Sequence, residues 1–454
     1  MTKKIKQIEI PLENETIIFS DKFNKRIKEY PDHIKKICFG KKFNRKVDNL
    51  PSNLLILYLG DSFEQTVDNL PKSLIKLKIG NYFDNPVDNL PSNILFLILG
   101  NSFDHPIDNL PFGILKLKLG NSFNHLLDSL PNSITHLTLG DSFDLPVENL
   151  PESLTHLRFG YSFNNRVDML PNQISLIEFG NCFRQSIDSL PKSVKYIKIY
   201  SSSYYLGKNK HITDSITNIT FDYDYEYNGL TIPKKIKKVI FTDDFDNYEK
   251  YYDLIPFNTK KITFGYFFDF KIKNLPINLI KLNLTGKFNQ KLDNLPEGLT
   301  HLKLGDNFNH KLDKLPKSLK FLEIGDGFTK KLDNLPENLK CLVLNVSYKF
   351  KPMNNLPSGL KILIINNECK SIEFGNLPEN LQVLKIKNYG PSNIRSFPFK
   401  LKLLELGGPL ICNFNLETYL KSILNDLILV IEKNKLVIEY RERTSAFWKL
   451  LKFV

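Results

Sequence analysis

Hydrophobic positions recur along this chain with a period of twenty residues. The stretch Pro51 to Leu70, PSNLLILYLGDSFEQTVDNL, shows the unit when its proline is counted as position 0. Leucines stand at +3 (Leu54), +6 (Leu57) and +8 (Leu59), Gly60 at +9, Phe63 at +12, Val67 at +16 and Leu70 at +19. Copies open at Pro31, Pro51, Pro71, Pro91, Pro111, Pro131, Pro151, Pro171 and Pro191 without insertion, and Pro11 carries the frame weakly through Ile17, Phe19 and Phe23. The frame continues at Thr213 and Pro233, runs regularly from Pro256, Pro276, Pro296, Pro316 and Pro336, and closes with Pro357, Pro378 and Pro398, about twenty copies in all.

Within a copy, LxxLxL over +3 to +8 alternates as a short half-buried strand does. One strand per copy has to pair in parallel with its neighbours. Glycine at +9 is read as a turn through positive φ, and a small polar residue at +11 (Ser62, Ser102, Ser122) as a side chain able to bond the turn backbone. The residue before each proline is biased to extended backbone, so the return segment is expected to hold at most a brief 3₁₀ turn. A single copy cannot bury its apolar face, and stability has to come from stacking. The fold expected is a β-rich solenoid: a leucine-rich-repeat-like, right-handed parallel β-solenoid of about twenty 20-residue repeats.

The frame divides the chain into an N-terminal cap strand (1–10), the solenoid (11–407) with an irregular middle (200–256), and a C-terminal cap (408–454). In that cap, Leu416 to Asn425 reads as helix and Leu427 to Glu432 with Leu436 to Tyr440 as a hairpin. The amphipathic tail Ala446 to Val454 holds Trp448 and Phe453 for packing back onto the stack.

Hydrophobic residues make up 42% of the chain, which argues against disorder. Five scattered cysteines without a CxxC pair argue against a disulfide framework and against zinc, and fit a reducing compartment. No apolar run is long enough to span a bilayer, and MTKKIKQIEI lacks the apolar core of a signal peptide. An intracellular, most simply cytoplasmic, protein is expected, without a membrane partner. Formal net charge is +13, which favours acidic partners.

Phenylalanine at +12 followed by asparagine (Phe43-Asn44, Phe123-Asn124, Phe163-Asn164, Phe288-Asn289, Phe308-Asn309) and then by x-x-V/I/L-D-N-L-P resembles the FNIP repeat family. The LxxLxL strand is similar to leucine-rich repeats of the shortest class. The resemblance implies a repeat scaffold, and in many members an N-terminal F-box that couples the repeats to a ubiquitin ligase. Ten residues before the first copy are too few for an F-box, so that coupling is not expected here.

If +6 and +8 point inward, +5 and +7 form the concave face. Over twenty copies those positions hold twelve basic residues and three acidic ones, Glu178, Glu323 and Glu405. Two apolar islands interrupt the charge: Ile56, Tyr58, Phe96 and Ile98 near the start, and Phe321, Cys341, Val343, Ile362, Ile364, Val383 and Leu403 near the end. The residues expected to touch a partner are Ile56, Tyr58, Lys76, Lys78, Phe96, Ile98, Lys116, Lys118, His156, Arg158, Phe321, Val343, Ile362 and Ile364. An exposed apolar patch is a typical partner site. A carboxylate ladder at +17 (Asp48, Asp68, Asp88, Asp108 and onward) offers one carboxylate per copy, too few for calcium, and is read as turn chemistry. His136 and His156 fall on adjacent strands but make no metal site by themselves. The tyrosines of the irregular middle (Tyr204, Tyr205, Tyr223, Tyr225, Tyr227, Tyr251, Tyr252) are read as a replacement core or an aromatic contact site.

No P-loop, dinucleotide fingerprint, HExxH, GxSxG or catalytic-triad signature occurs, and no cofactor is expected. The function expected is a non-enzymatic protein-interaction module with an acidic or phosphorylated protein partner. The alternatives are a ubiquitin-ligase adaptor without its own F-box, or binding of an anionic surface or nucleic acid.

Overall fold

The computed structural model describes residues 13–200, 212–222, 232–245, 248, 252–346, 355–367, 372–387, 392–394, 397–406, 410–411, 427–432 and 435–440. Each regular copy folds as two tight turns around one strand. The proline carbonyl accepts the +3 N–H (Leu54 to Pro51, 3.1 Å), and the glycine carbonyl accepts the +12 N–H (Phe63 to Gly60, 3.1 Å). These turns consume both ends of the LxxLxL segment. The strand therefore spans three residues, as in Ile56–Tyr58 and Lys76–Lys78, and is shorter than the leucine spacing suggests. Neighbouring strands are parallel and in strict repeat register, Ile56 opposite Lys76, Leu57 opposite Leu77 and Tyr58 opposite Lys78. The protein is a parallel β-solenoid, with almost no helix among the described residues.

Contacts divide the chain into two units, residues 1–219 with 225–233 and residues 220–224 with 234–454. The first runs from the strand Thr16–Ile18 to Tyr196–Tyr200. The second carries longer strands. Lys238–Phe241 and Lys261–Phe264 have four residues, Cys341–Val346 and Ile362–Asn367 six. The second unit closes with the hairpin Leu427–Glu432 and Lys435–Tyr440, whose latter strand pairs antiparallel with Leu403–Leu406. The segments 1–10, Leu416 to Asn425 and Ala446 to Val454 lie outside the described residues, as do Tyr204, Tyr205, Tyr223, Tyr225, Tyr227 and Tyr251. Tyr252 opens a 3₁₀ turn, Tyr252–Leu254.

Positions +3, +6, +8 and +12 form the core. Leu54, Leu57 and Phe63 are fully buried and Leu59 is nearly so. The +12 rings stack copy on copy, Phe43, Phe63, Phe83, Phe103 and Phe123 standing 6.2–6.3 Å apart and nearly parallel. Burying one such side chain stabilises the fold by roughly 1.5–3 kcal/mol, and each aromatic pair adds about 0.5–1.5 kcal/mol.

Glycine at +9 serves a different purpose from the one expected. Only Gly286, of the second unit, has positive φ among the described glycines. At Gly60 an added Cβ would collide with the carbonyl oxygen of Gly40, so glycine is needed for the close approach of successive turns. The +11 serines also act otherwise: their backbone N–H, not their hydroxyl, bonds the preceding copy, as from Ser62 to Lys41 O at 2.8 Å.

The asparagine after the core phenylalanine has a structural cause. Its side-chain oxygen accepts the N–H of the +13 residue one copy later, from Asn44 to Asn24 (3.0 Å) and from Arg184 to Asn164 (2.8 Å). Aspartate does the same work, as from Asn124 to Asp104 (3.1 Å). The +17 carboxylates accept from the +18 asparagine of the next copy, Asn89 to Asp68 at 3.1 Å and Asn109 to Asp88 at 3.2 Å. Both polar ladders therefore run between copies rather than within one turn.

Candidate binding face

Strand alternation puts +5 and +7 on the side opposite the core. In the first unit these side chains are exposed or half-buried around a buried +6: Lys116 and Lys118 around Leu117, His156 and Arg158 around Leu157. All three acids of the face are already used. Each lies in register beside the +7 cation of the preceding strand and pairs with it: Arg158 Nε with Glu178 at 3.3 Å, Lys303 Nζ with Glu323 at 2.6 Å, and Lys385 Nζ with Glu405 at 3.1 Å. Lys198 has an interaction of its own. Lys36, Lys76, Lys78, Lys116 and Lys118 in the first unit, and Lys238, Lys261 and Lys281 in the second, form no ion pair among the described residues.

A cleft of about 300 Å³ opens on the first unit's face. Lys76, Phe96, Ile98, Lys116, Lys118, His156 and Arg158 line it, together with His136 and Thr138. Ile56 and Tyr58 lie one strand before Lys76 in register. The Tyr58 ring sits between two ammonium groups, Lys36 at 5.9 Å and Lys76 at 5.4 Å from its centroid, an arrangement that holds cations in place on a face lacking free carboxylates.

The His136 and His156 rings stack at 4.1 Å with planes 8° apart. Behind each ring stands a threonine. Thr135 Oγ1 donates to Leu115 O at 3.0 Å and meets His136 Nδ1 at 2.9 Å; Thr155 Oγ1 donates to Thr135 O and meets His156 Nδ1, both at 2.9 Å. A hydroxyl has one proton, and the carbonyl takes it. Nδ1–H must therefore donate to the threonine oxygen, which fixes the tautomer and leaves Nε2 as a bare acceptor. Burial holds His136 down to about 4, with His156, Lys116 and Arg158 adding to it. The same causes, burial before Lys116 and Arg158, lower His156. At neutral pH the cleft thus joins neutral acceptors to a cationic margin.

The C-terminal island is not an open face. Phe321, Val343, Ile362 and Ile364 are 2–7% exposed and form one buried cluster with Cys341, Val383 and Leu403. The atoms that cover them belong to this chain, so these four are core residues and not a surface on offer. Burial pushes the Cys341 thiol up to about 12, with Glu323 adding to the effect, which suits an inert core cysteine. His136 and Thr138 line the cleft although they are not among the contact residues expected from the sequence. The available signal was the repeated Thr-His pair at +4 and +5 (Thr135-His136, Thr155-His156, Thr300-His301).

The FNIP Repeat family matches residues 43–82, 66–102, 103–142, 123–162, 144–182 and 288–327. No curated protein aligns with the sequence. Among solved structures the chain is similar to CroV588, described as a novel circular LRR protein, with 24% identity, TM-score 0.39, and 88% of this chain and 86% of that one covered. It is similar also to YopM from Yersinia enterocolitica WA-314, with 18% identity, TM-score 0.41, and coverage of 88% and 91%. InlJ from Listeria monocytogenes matches at 13% identity and TM-score 0.30 over 73% of this chain and 81% of that one.

Proposed function

We propose that this chain, an FNIP-repeat protein, is a non-enzymatic scaffold that seats an acidic, extended protein segment in the cleft of its first unit. One observation carries the reading: the cleft pairs bare imidazole acceptors with lysines that no carboxylate neutralises among the described residues. An extended peptide supplies both complements, backbone N–H groups for His136 and His156 Nε2 and acidic side chains for Lys76, Lys116 and Lys118. Phe96 and Ile98 lie between the lysine strands and add apolar contact where aromatic and aliphatic anchors contribute most. Arg158 has a weaker part, since Glu178 already holds it. Cys38, Cys182 and Cys341 are free thiols, which supports a place inside the cell.

The test is a pulldown and a fluorescence titration with an acidic peptide, comparing the parent with the K76E/K116E/K118E variant. Binding should fall more than tenfold, since even one lost charge-assisted contact is worth about 1.5–3 kcal/mol, and parent binding should weaken with added salt. Unchanged affinity in the variant would sink the reading. A steep salt-dependent shift with generic RNA in place of the peptide would replace it with a nucleic-acid site.

A further inference from the structure

The second unit carries a different arrangement of charge. Lys238, Lys261 and Lys281 occupy +5 on three consecutive parallel strands, each opposite the next in register. Adjacent strands lie ~4.8 Å apart, and like charges placed side by side on a sheet repel. Nothing apolar separates these lysines along their row, whereas in the first unit Phe96 stands between Lys76 and Lys116. None of the three forms an ion pair among the described residues; the nearest carboxylate on the face, Glu323, is held by Lys303 at 2.6 Å.

The neighbouring side chains add donors. Thr263 Oγ1 accepts from Asn283 Nδ2 at 3.2 Å, so its own proton and the second amide proton of Asn283 remain available. His301 follows Lys281 in register. Thr300 Oγ1 donates to Ile280 O at 3.2 Å and meets His301 Nδ1 at 2.8 Å, which sets the same tautomer as in the first unit. Burial and then the neighbouring Lys238, Lys281 and Lys303 lower the Lys261 pKa. Burial and then Lys281, Lys320 and Lys261 hold His301 to about 4.

We infer that the row Lys238–Lys261–Lys281, with Thr263 and Asn283, is a second binding site, one that takes a phosphate group. Lysine binds phosphate as a point charge, and three ammonium groups in one row match a multiply charged phosphate better than a single carboxylate of charge −1. A phosphate there relieves the mutual repulsion of the row and accepts from the hydroxyl and the amide, the donors that the strand register brings beside it. The site lies wholly in the second unit and does not depend on peptide binding by the first.

Inorganic pyrophosphate is the probe, titrated at constant ionic strength with the His301 imidazole followed by NMR. A phosphoserine peptide is the second arm and tests whether the phosphate can arrive on a protein. Saturable shifts with pyrophosphate are expected, lost at least tenfold in affinity in K261Q/K281Q and retained in K76Q/K116Q. Thermal melts of K261Q/K281Q without ligand should match or exceed the parent, because neutralising the row removes repulsion, so lost binding cannot be mistaken for unfolding. Absence of saturable binding by either probe would overturn the assignment. So would a K261Q/K281Q variant that binds with the parent's affinity, or equal loss in K76Q/K116Q.

Discussion

The same two positions of the repeat behave in opposite ways in two regions of the molecule. Between Ile56 and Arg158, +5 and +7 are exposed or half-buried on strands of three residues. Between Phe321 and Leu403, seven of these side chains sink to 1–7% exposure, on strands of four to six residues. Alternation decides which way a side chain leaves the strand, but it does not decide whether solvent or protein waits there. The first region mixes lysine, histidine and single apolar residues; the second presents Cys341, Val343, Ile362 and Ile364 in unbroken contact. A contiguous apolar patch of that kind is core in this chain, and the mixed one is surface.

The strongest way to break this comparison is to put a charge into each region. Ile362→Asp should cost more than about 4 kcal/mol, since it removes a buried aliphatic group and buries a carboxylate without a partner. Phe96→Asp, at the equivalent position of the open face, should change stability by less than about 1 kcal/mol. Urea unfolding followed by circular dichroism reads both. Equal costs would mean that the two regions are not covered differently.

Much of the fold was legible because the repeat frame depends on side-chain size. Leu57 and Phe63 have no polar alternative that could stack at those positions, so their spacing alone announces the solenoid. Gly60 misled, because a missing Cβ serves a close backbone approach as readily as a positive φ, and the sequence does not separate the two. The carboxylates of Asp68 and Asp88 misled too: their sequence context suggests turn chemistry, but they accept from Asn89 and Asn109, one copy later. The site was half legible. Lys76, Lys116 and Lys118 followed from counting positions. The self-pairing of Arg158, Lys303 and Lys385 with the acids of the next strand needed the register.

Acidification separates the two units by their histidines, His136 and His156 in the first and His301 in the second. An imidazole whose folded pKa lies below its unfolded value near 6.5 binds its proton more readily in the unfolded chain. Its contribution to stability is therefore complete above pH 6.5 and lost as pH falls toward 4. His136→Gln/His156→Gln should flatten that decline through the first unit and His301→Gln through the second, read as urea midpoints at pH 7.5 and pH 4.5 for each variant and the parent. A variant whose midpoint drops as far as the parent's would show that its histidines do not carry the effect.

The smallest effect expected comes from releasing a cation rather than removing one. Glu178→Gln deletes the partner of Arg158; the Glu178 side chain is 20% exposed and that of Arg158 52%. An ion pair in that setting is worth at most about 1 kcal/mol, so stability should barely move. The face, however, gains a free guanidinium at the end of the cleft where His156 already stands. An acidic peptide should then bind a few-fold more tightly, with a steeper loss of affinity on adding salt, while the matching change Glu323→Gln in the second unit leaves that affinity where it was. If Glu178→Gln weakens binding, Glu178 orients Arg158 instead of occupying it, and the open cations of this face are fewer than its charge implies.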